Sequence, residues 1–352
     1  MKIHQLVAGF ADGDAISREA SEIAAALRIS GYECGIYAPE NSIGRTLLGQ
    51  CQPMEYMQAS ADDIVLFHYS IDSCASEAYF AAKCRKIVRY HNITPAEYFQ
   101  GFDDAVAVQL DKARHMLRSV AGEADRVVCV SEYNAAEVRE LGVSNVDVVH
   151  LLDEYFHKSG TKLPQQVPAP DRRLTNILYV GRIAPNKCIE ELISAFGHYH
   201  NGINRRSRLL IVGSDRSCPK YYAVLRFIAA RLELQNVTFC GFLDDVSLSA
   251  FYKAADLFVC TSRHEGYCQP IIDAMISGVP VLVRNCGGMP EAMNGAGVMY
   301  NNLQPKVLAE LMDKMISDEG LRREVLEAQS CRVERLKTRD LKADCLRIVG
   351  LK

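Results

Sequence analysis

No apolar run in the 352-residue chain approaches the roughly 18 residues needed to cross a bilayer, so a membrane-spanning helix is not expected. The opening stretch MKIHQLVAGF is apolar for only a few residues before Asp12 and Asp14. That fits a first strand and not a secretory signal. The two absences together give the expectation of a cytoplasmic protein. A large excess of charge of one sign is also missing: 40 Lys and Arg stand against 43 Asp and Glu, for a net charge of −3. This argues against the strongly basic domain of a general nucleic-acid binder, and no nucleic-acid partner is expected. The 13 cysteines include no CxxC pair. They are scattered singly, many inside apolar runs such as RVVCVS at Cys129 and LFVCTS at Cys260. That is the pattern of reduced, buried thiols and not of clustered zinc ligands. The loop after the first apolar run, LVAGFADGDAIS, lacks the GxGxxG fingerprint, which counts against a dinucleotide oxidoreductase.

What is present is a soluble composition, 49% hydrophobic and 24% charged, long enough for two cores. Short apolar runs alternate with amphipathic stretches. IHQLVAG, ECGIYAP, DIVLFHY, KIVRYHN, RVVCVS and VDVVHL are strand-like, with helical segments such as SREASEIAAALRIS, SCASEAYFAAKC and NAAEVRELG among them. At 157–173 the sequence HKSGTKLPQQVPAPDRR turns polar and proline-rich, which marks a linker. The alternation then restarts with NILYVGR, SRLLIVG, NVTFCG, LFVCTS, VPVLVR and GAGVMY. Alternating strands and helices predict an α/β chain with two Rossmann-like, doubly wound domains facing across a cleft. The expected divisions are 1–156, a linker at 157–173, a second domain at 174–330, and a charged helical segment at 331–352 packing back on the first domain.

In such sheets ligands bind at the carboxyl ends of strands, often against a helix N-terminus. Strand NILYV runs into GRIAPNK, where Gly181 permits a tight turn and Arg182 and Lys187 supply two cations suited to a diphosphate. LFVCTS runs into RHEGYCQPIIDAM. Glu265 stands in a loop with Gly266, Tyr267 and Cys268. Pro270 opens a helix, and Asp273 follows one turn inside it, eight positions after Glu265. Carboxylates accept strongly from pairs of hydroxyls, as on sugars and riboses; the plainer reading of Asp273 alone is a helix acid favoured by the dipole. VPVLVR runs into NCGGMPEAM, with two glycines before Glu291. In the first half, Gly9 and Gly13 lie in the loop before a helix expected near Ser17. His68 and His91 end two further strands.

Taken together these pieces resemble the family 4 retaining glycosyltransferases of the GT-B fold, most closely over 174–300. ILYVGRIAPNK is similar to the family's diphosphate site. GFLDDVSLSAFYKAADLFVCTSRHEGYCQPIIDAMISGVPVLVRNCGGMPEAM is similar to its signature stretch, with two acids separated by seven residues. The resemblance implies that Glu265 contacts donor-sugar hydroxyls, that Asp273 holds the nucleotide ribose, and that backbone amides at Gly266, Tyr267 and Cys268 meet sugar or phosphate. It assigns Arg182 and Lys187 to the leaving diphosphate. The first-half likeness is weaker: RYHN resembles the strand carrying the family's active-site histidine, here His91, the VVCVSEY segment resembles the one near Ser131, and the Gly13 loop resembles the one approaching phosphate and acceptor.

The sequence departs from the family pattern at several points. The second acid is Asp273 where Glu is usual, Cys268 stands where a small residue is usual, and Cys188 stands where Gly usually follows the lysine. HLLD leaves only Asp153 of a common Asn-Gly-Val-Asp motif. The implied activity is transfer of a hexosyl unit from GDP-mannose or a UDP-sugar to a glycan or glycolipid hydroxyl, without metal or other cofactor, in cell-surface polysaccharide or glycoconjugate assembly. A weakly active nucleotide-sugar-binding protein and a nucleotide-sugar epimerase are the alternatives. The cations of KCRKIVR and DKARHMLR add an expectation of peripheral contact with the inner face of the membrane, set against the plainer reading of solvated helix faces.

Overall fold

The computed structural model describes residues 1–151 and 170–351. The chain divides into two compact units, one formed by 1–98, 104–156 and 339–352, the other by 99–103 and 157–338. Most of the linker expected at 157–173, and Asp153, lie outside the described residues.

The first unit is built on seven strands: β1 (Lys2–Leu6), β2 (Glu33–Ala38), β3 (Gln52–Pro53), β4 (Ile64–Tyr69), β5 (Arg85–Tyr90), β6 (Arg126–Cys129) and β7 (Val146–Val148). All pairings are parallel, in the order β3-β2-β1-β4-β5-β6-β7. The helix Ala15–Ile29 follows β1. Asp14 caps it, accepting from the Ser17 N–H at 2.8 Å, so it starts slightly before the expected Ser17. Ala20, Ile23, Ala24 and Leu27 recur at helical spacing and are buried, each large one contributing roughly 1.5–3 kcal/mol. The helix Leu341–Ile348 returns to this unit and buries Cys345 and Ile348 in the same core. The return expected from 331 begins later, at Arg339, because 331 falls inside the continuous helix Glu319–Lys337 of the second unit. The two-residue β3 carries too little periodicity to be anticipated.

Two of the four cations of KCRKIVR are internal. Arg89 is fully buried on β5 and Lys86 is buried against Glu123 at 2.6 Å. In DKARHMLR, Lys112 pairs with Asp72 at 2.7 Å and Arg114 with Glu137. Lys83, Arg85 and Arg118 of the same stretches are exposed, so the two stretches divide between paired or buried cations and solvated ones. Among the described residues, no helix is long and apolar enough to cross a membrane.

The second unit has six parallel strands: β8 (Thr175–Val180), β9 (Ser207–Val212), β10 (Val237–Gly241), β11 (Leu257–Cys260), β12 (Val281–Arg284) and β13 (Val298–Tyr300). Their order is β10-β9-β8-β11-β12-β13. LFVC of β11 and VLVR of β12 are buried at every position, the signature of central parallel strands covered on both faces. The strand order reverses between β8 and β11. By the rule for doubly wound sheets, the loops at the carboxyl ends of those two strands form the binding crevice.

Candidate active site

The loop after β8 (181–188) and the loop after β11 (261–268) meet at this reversal. Several hydrogen bonds stitch them together. The Thr261 hydroxyl donates toward the Lys187 and Cys188 carbonyls, both at 3.0 Å. Asn186 donates through Nδ2 to the His264 carbonyl at 3.1 Å, and its own carbonyl accepts from the Arg263 N–H at 2.9 Å. Buried Arg284, at the end of β12, donates to the Thr261 carbonyl at 3.1 Å and pairs with Glu191. Gly287 completes the frame. Its φ is +57°, and a Cβ there would lie 2.3 Å from the Glu265 carbonyl oxygen, so only glycine allows this approach. The Gly288 N–H donates to that same carbonyl at 3.0 Å.

The frame presents one ion pair. Lys187 Nζ donates to Glu265 Oε1 at 2.6 Å, and the Ser262 hydroxyl donates to the same oxygen at 2.8 Å. The side chains are 13% and 11% exposed. Burial opposes ionisation of Glu265, but the Lys187 ammonium and the Ser262 hydroxyl outweigh it and hold the carboxyl below its usual range. Glu265 is therefore ionised at neutral pH. Arg182, in the same loop, is exposed, and its guanidinium has no partner among the described residues.

The chain bends at Gly181, whose φ of +157° suits glycine. Its N–H still bonds the Val212 carbonyl at 3.0 Å, extending the β8 ladder, and its lack of a Cβ makes room for the Tyr179 hydroxyl. The backbone turns at Cys188, in the left-handed region with φ +49°. Cys268 is left-handed too, with φ +74°, and caps the helix Gln269–Ile276. Pro270 occupies its first turn, where a missing N–H is harmless. Left-handed geometry is where glycine is favoured, which explains why glycine or a small residue is usual at these two positions; nothing in the structure explains the cysteines. Gly266 lies in the half-buried stretch before Tyr267. The Tyr267 ring is buried, its hydroxyl 3.4 Å from Arg332 Nη2. Asp273 is 4% exposed, one turn into the helix, with Gln269 Nε2 3.5 Å from Oδ1.

Gly13 and His91 belong to the first unit. Gly13, with φ +75°, precedes the Asp14 cap after β1, at the reversal of that sheet between β1 and β4. His91 follows β5 and joins a chain of buried polar groups that the sequence did not disclose. The His68 ring donates from Nε2 to Gln5 Oε1 at 2.8 Å, and its Nδ1 lies 2.9 Å from His91 Nε2. Burial outweighs the attraction of Glu19 and lowers both imidazoles, His68 to about 4, so both are neutral at pH 7. With the His68 proton committed to Gln5, His91 Nε2–H donates to His68 Nδ1, and His91 Nδ1 keeps its lone pair. Glu19 lies 3.5 Å from His91 Nε2 and is held by Arg89 through contacts of 2.6 and 3.1 Å.

One further group escaped the sequence reading. Cys260, at the end of β11, and Cys268 bring their sulfurs to 3.9 Å, and Cys260 also lies 3.3 Å from the Ser262 hydroxyl. The eight-residue spacing hides the pair, because a strand, a loop and a helix start must fold back to close it.

Residues 162–330 match the family described as Glycosyl transferases group 1. The chain is 26% identical over 228 residues to the serotype-specific mannosyltransferase WbdA of Escherichia coli. That match covers 64% of this chain and 26% of the relative, so the chain spans about a quarter of that protein's length. It is 28% identical over 234 residues to a GDP-mannose-dependent monoacylated α-(1-6)-phosphatidylinositol monomannoside mannosyltransferase of Corynebacterium glutamicum, covering 62% of this chain and 60% of the other. Among solved structures, Anabaena HepE in complex with UDP and glucose superposes with a TM-score of 0.73 at 18% identity, covering 99% of this chain and 98% of the other. At that identity the likeness establishes the fold, which is GT-B. The match to the group 1 glycosyl transferases rests on residues 162–330, a little under half of the chain.

Proposed function

We propose that this group 1 glycosyltransferase moves a hexosyl unit from a nucleotide-diphosphate sugar to a glycan or glycolipid hydroxyl, with retention at the anomeric carbon, in assembly of cell-surface polysaccharide or a related glycoconjugate. The observation that carries the reading is the Lys187–Glu265 contact at the β8/β11 reversal, with the unpaired Arg182 guanidinium in the same loop. As the glycosidic bond to the diphosphate lengthens, negative charge grows on phosphate and positive charge on the sugar ring. Lys187 and Arg182 are fixed cations for the first; ionised Glu265 accepts from sugar hydroxyls and faces the second. The amides of Gly266, Tyr267 and Cys268, at the start of a helix, add a partial positive charge for phosphate. Asp273 takes the ribose. Within the first unit, the Gly13 loop is suited to a phosphate or an acceptor, and His91 carries an Nδ1 lone pair for a hydroxyl. With two cations on the leaving group the reaction needs no resident metal. A mannosyl or glucosyl donor is supported by the relatives named above, and GDP and UDP are both carried forward. The burial of Asp273 favours one second reading, a nucleotide-sugar-binding protein of weak activity, and turnover separates the two.

The test is transfer and donor hydrolysis by Arg182→Ala and Lys187→Ala, each checked for fold by circular dichroism. Loss of one such preorganised cation costs about 10²–10³ in kcat. Normal turnover by both variants would overturn the diphosphate assignment. A thermal-shift screen over nucleoside diphosphates and their sugars identifies the donor, since a ligand at 100 times Kd stabilises by about 2.7 kcal/mol.

A further inference from the structure

We infer that Cys260, Cys268 and Glu265 form a site for a thiophilic divalent cation, Zn²⁺ or Cd²⁺, whose occupation blocks the crevice. The ligand atoms of the three residues lie within 4.8 Å of one another. The sulfurs are 3.9 Å apart, and two thiolates on one tetrahedral zinc, each at ~2.3 Å, stand about 3.8 Å apart. The cysteines already hold the edge of a metal tetrahedron. A disulfide would need the same atoms to close to roughly 2.05 Å. Lys187 and Ser262 both donate to Oε1 of Glu265, so Oε2 is available as the third ligand. The fourth position falls to water or an incoming oxygen. Charge balances as well. Binding releases two thiol protons, so two thiolates, one carboxylate and M²⁺ sum to −1, and the Lys187 ammonium neutralises that sum in a nearly buried place. Entry is from the side of Cys268 and Glu265, which are partly exposed, to Cys260 beneath them at 2%. Soft sulfur ligands select Zn²⁺ and Cd²⁺ over Mg²⁺.

Binding stands on the sulfur geometry alone; the block rests on the donor reading above. The experiment titrates the full-length reduced protein with Zn²⁺ and with Cd²⁺. Cadmium binding is read from the ultraviolet thiolate charge-transfer band, zinc binding by competition with a chromophoric chelator. The wild type takes up one ion more than Cys260→Ser or Cys268→Gly. Affinity at that site falls more than about 100-fold in both variants, beyond the roughly 10–100-fold cost of losing an outer partner. Cys268→Gly guards against misfolding, because glycine suits the left-handed φ of +74°. Cys74→Ser and Cys331→Ser, both at exposed cysteines, leave the titration unchanged. Equal uptake by wild type, Cys260→Ser and Cys268→Gly overturns the site. Transfer assayed with and without one equivalent of Zn²⁺ separates the two readings. Binding with loss of transfer supports both. Binding with full transfer keeps the metal site and refutes the donor reading. No binding refutes the metal site and leaves the donor reading intact.

Discussion

Two ion pairs with the same 2.6 Å contact distance lead opposite lives in this chain. In the first unit, Arg89 and Glu19 are 0% and 1% exposed, and Arg89 also donates to the carbonyls of Cys129 at 3.1 Å and Val149 at 2.7 Å. Its donors are committed, so the pair ties β5, β6 and the helix Ala15–Ile29 together and has nothing left for a ligand. In the second unit, Lys187 and Glu265 are 13% and 11% exposed. Their described polar contacts are one another and Ser262, and the pair sits where strand order reverses. A closed pair is architecture, because any change leaves an uncompensated buried charge. A partly open pair at a sheet reversal can exchange partners with a ligand.

That contrast is breakable by experiment. The largest effect belongs to the closed pair: Arg89→Ala removes the guanidinium that neutralises buried Glu19 and lowers unfolding free energy by about 3–5 kcal/mol in urea titration. The corresponding Lys187→Ala change is absorbed by Glu265 taking up a proton. It should move stability far less while removing about 10²–10³ of kcat. If the two variants lose stability equally, the distinction between them fails.

The polar chain around the closed pair makes the next prediction. The folded-state pKa of His68 is depressed to about 4 from an ordinary value of 6.5, so the unfolded chain binds more protons between those values. Stability conferred by neutral His68 is present above pH 6.5 and is lost as pH falls toward 4, by roughly 3 kcal/mol. Glu19, held near 2 by Arg89 against its burial, continues the loss below pH 4.5. Stability measured from pH 8 to 4 should fall through this window, and His68→Gln should flatten the upper part of the slope.

Smaller effects probe the frame of the open pair. Gly287→Ala places a methyl against the Glu265 carbonyl at a left-handed φ. It should cost at least ~1–2 kcal/mol, with kcat falling more than KM rises as the Glu265 loop shifts. Cys268→Gly should do the reverse on stability, raising it by up to about 1 kcal/mol in thermal unfolding, since a non-glycine residue leaves a left-handed position.

Both sheets were legible because central parallel strands are short, mostly apolar runs, as in IVLF of β4 and LFVC of β11. The loop acid and the lysine were legible because they follow such runs directly. What stayed hidden depends on contacts between distant segments. Nothing local marks Glu19 as the partner of Arg89, seventy residues away, or Asn186 as the tie between two loops. The cysteine at 260 is indistinguishable in sequence from a core thiol until the chain folds Cys268 over it. The left-handed backbone at Cys188 stayed hidden for a related reason: nothing in the sequence marks a cysteine for a positive φ.

The most direct test of the central claim is a calorimetric titration of wild type and Lys187→Ala with UDP and with GDP. If the β8/β11 crevice grips a diphosphate through Lys187, one nucleotide binds the wild type, and the variant binds it at least about tenfold more weakly, the share of a hydrogen bond to a charged group. Equal affinity for both proteins would contradict the account.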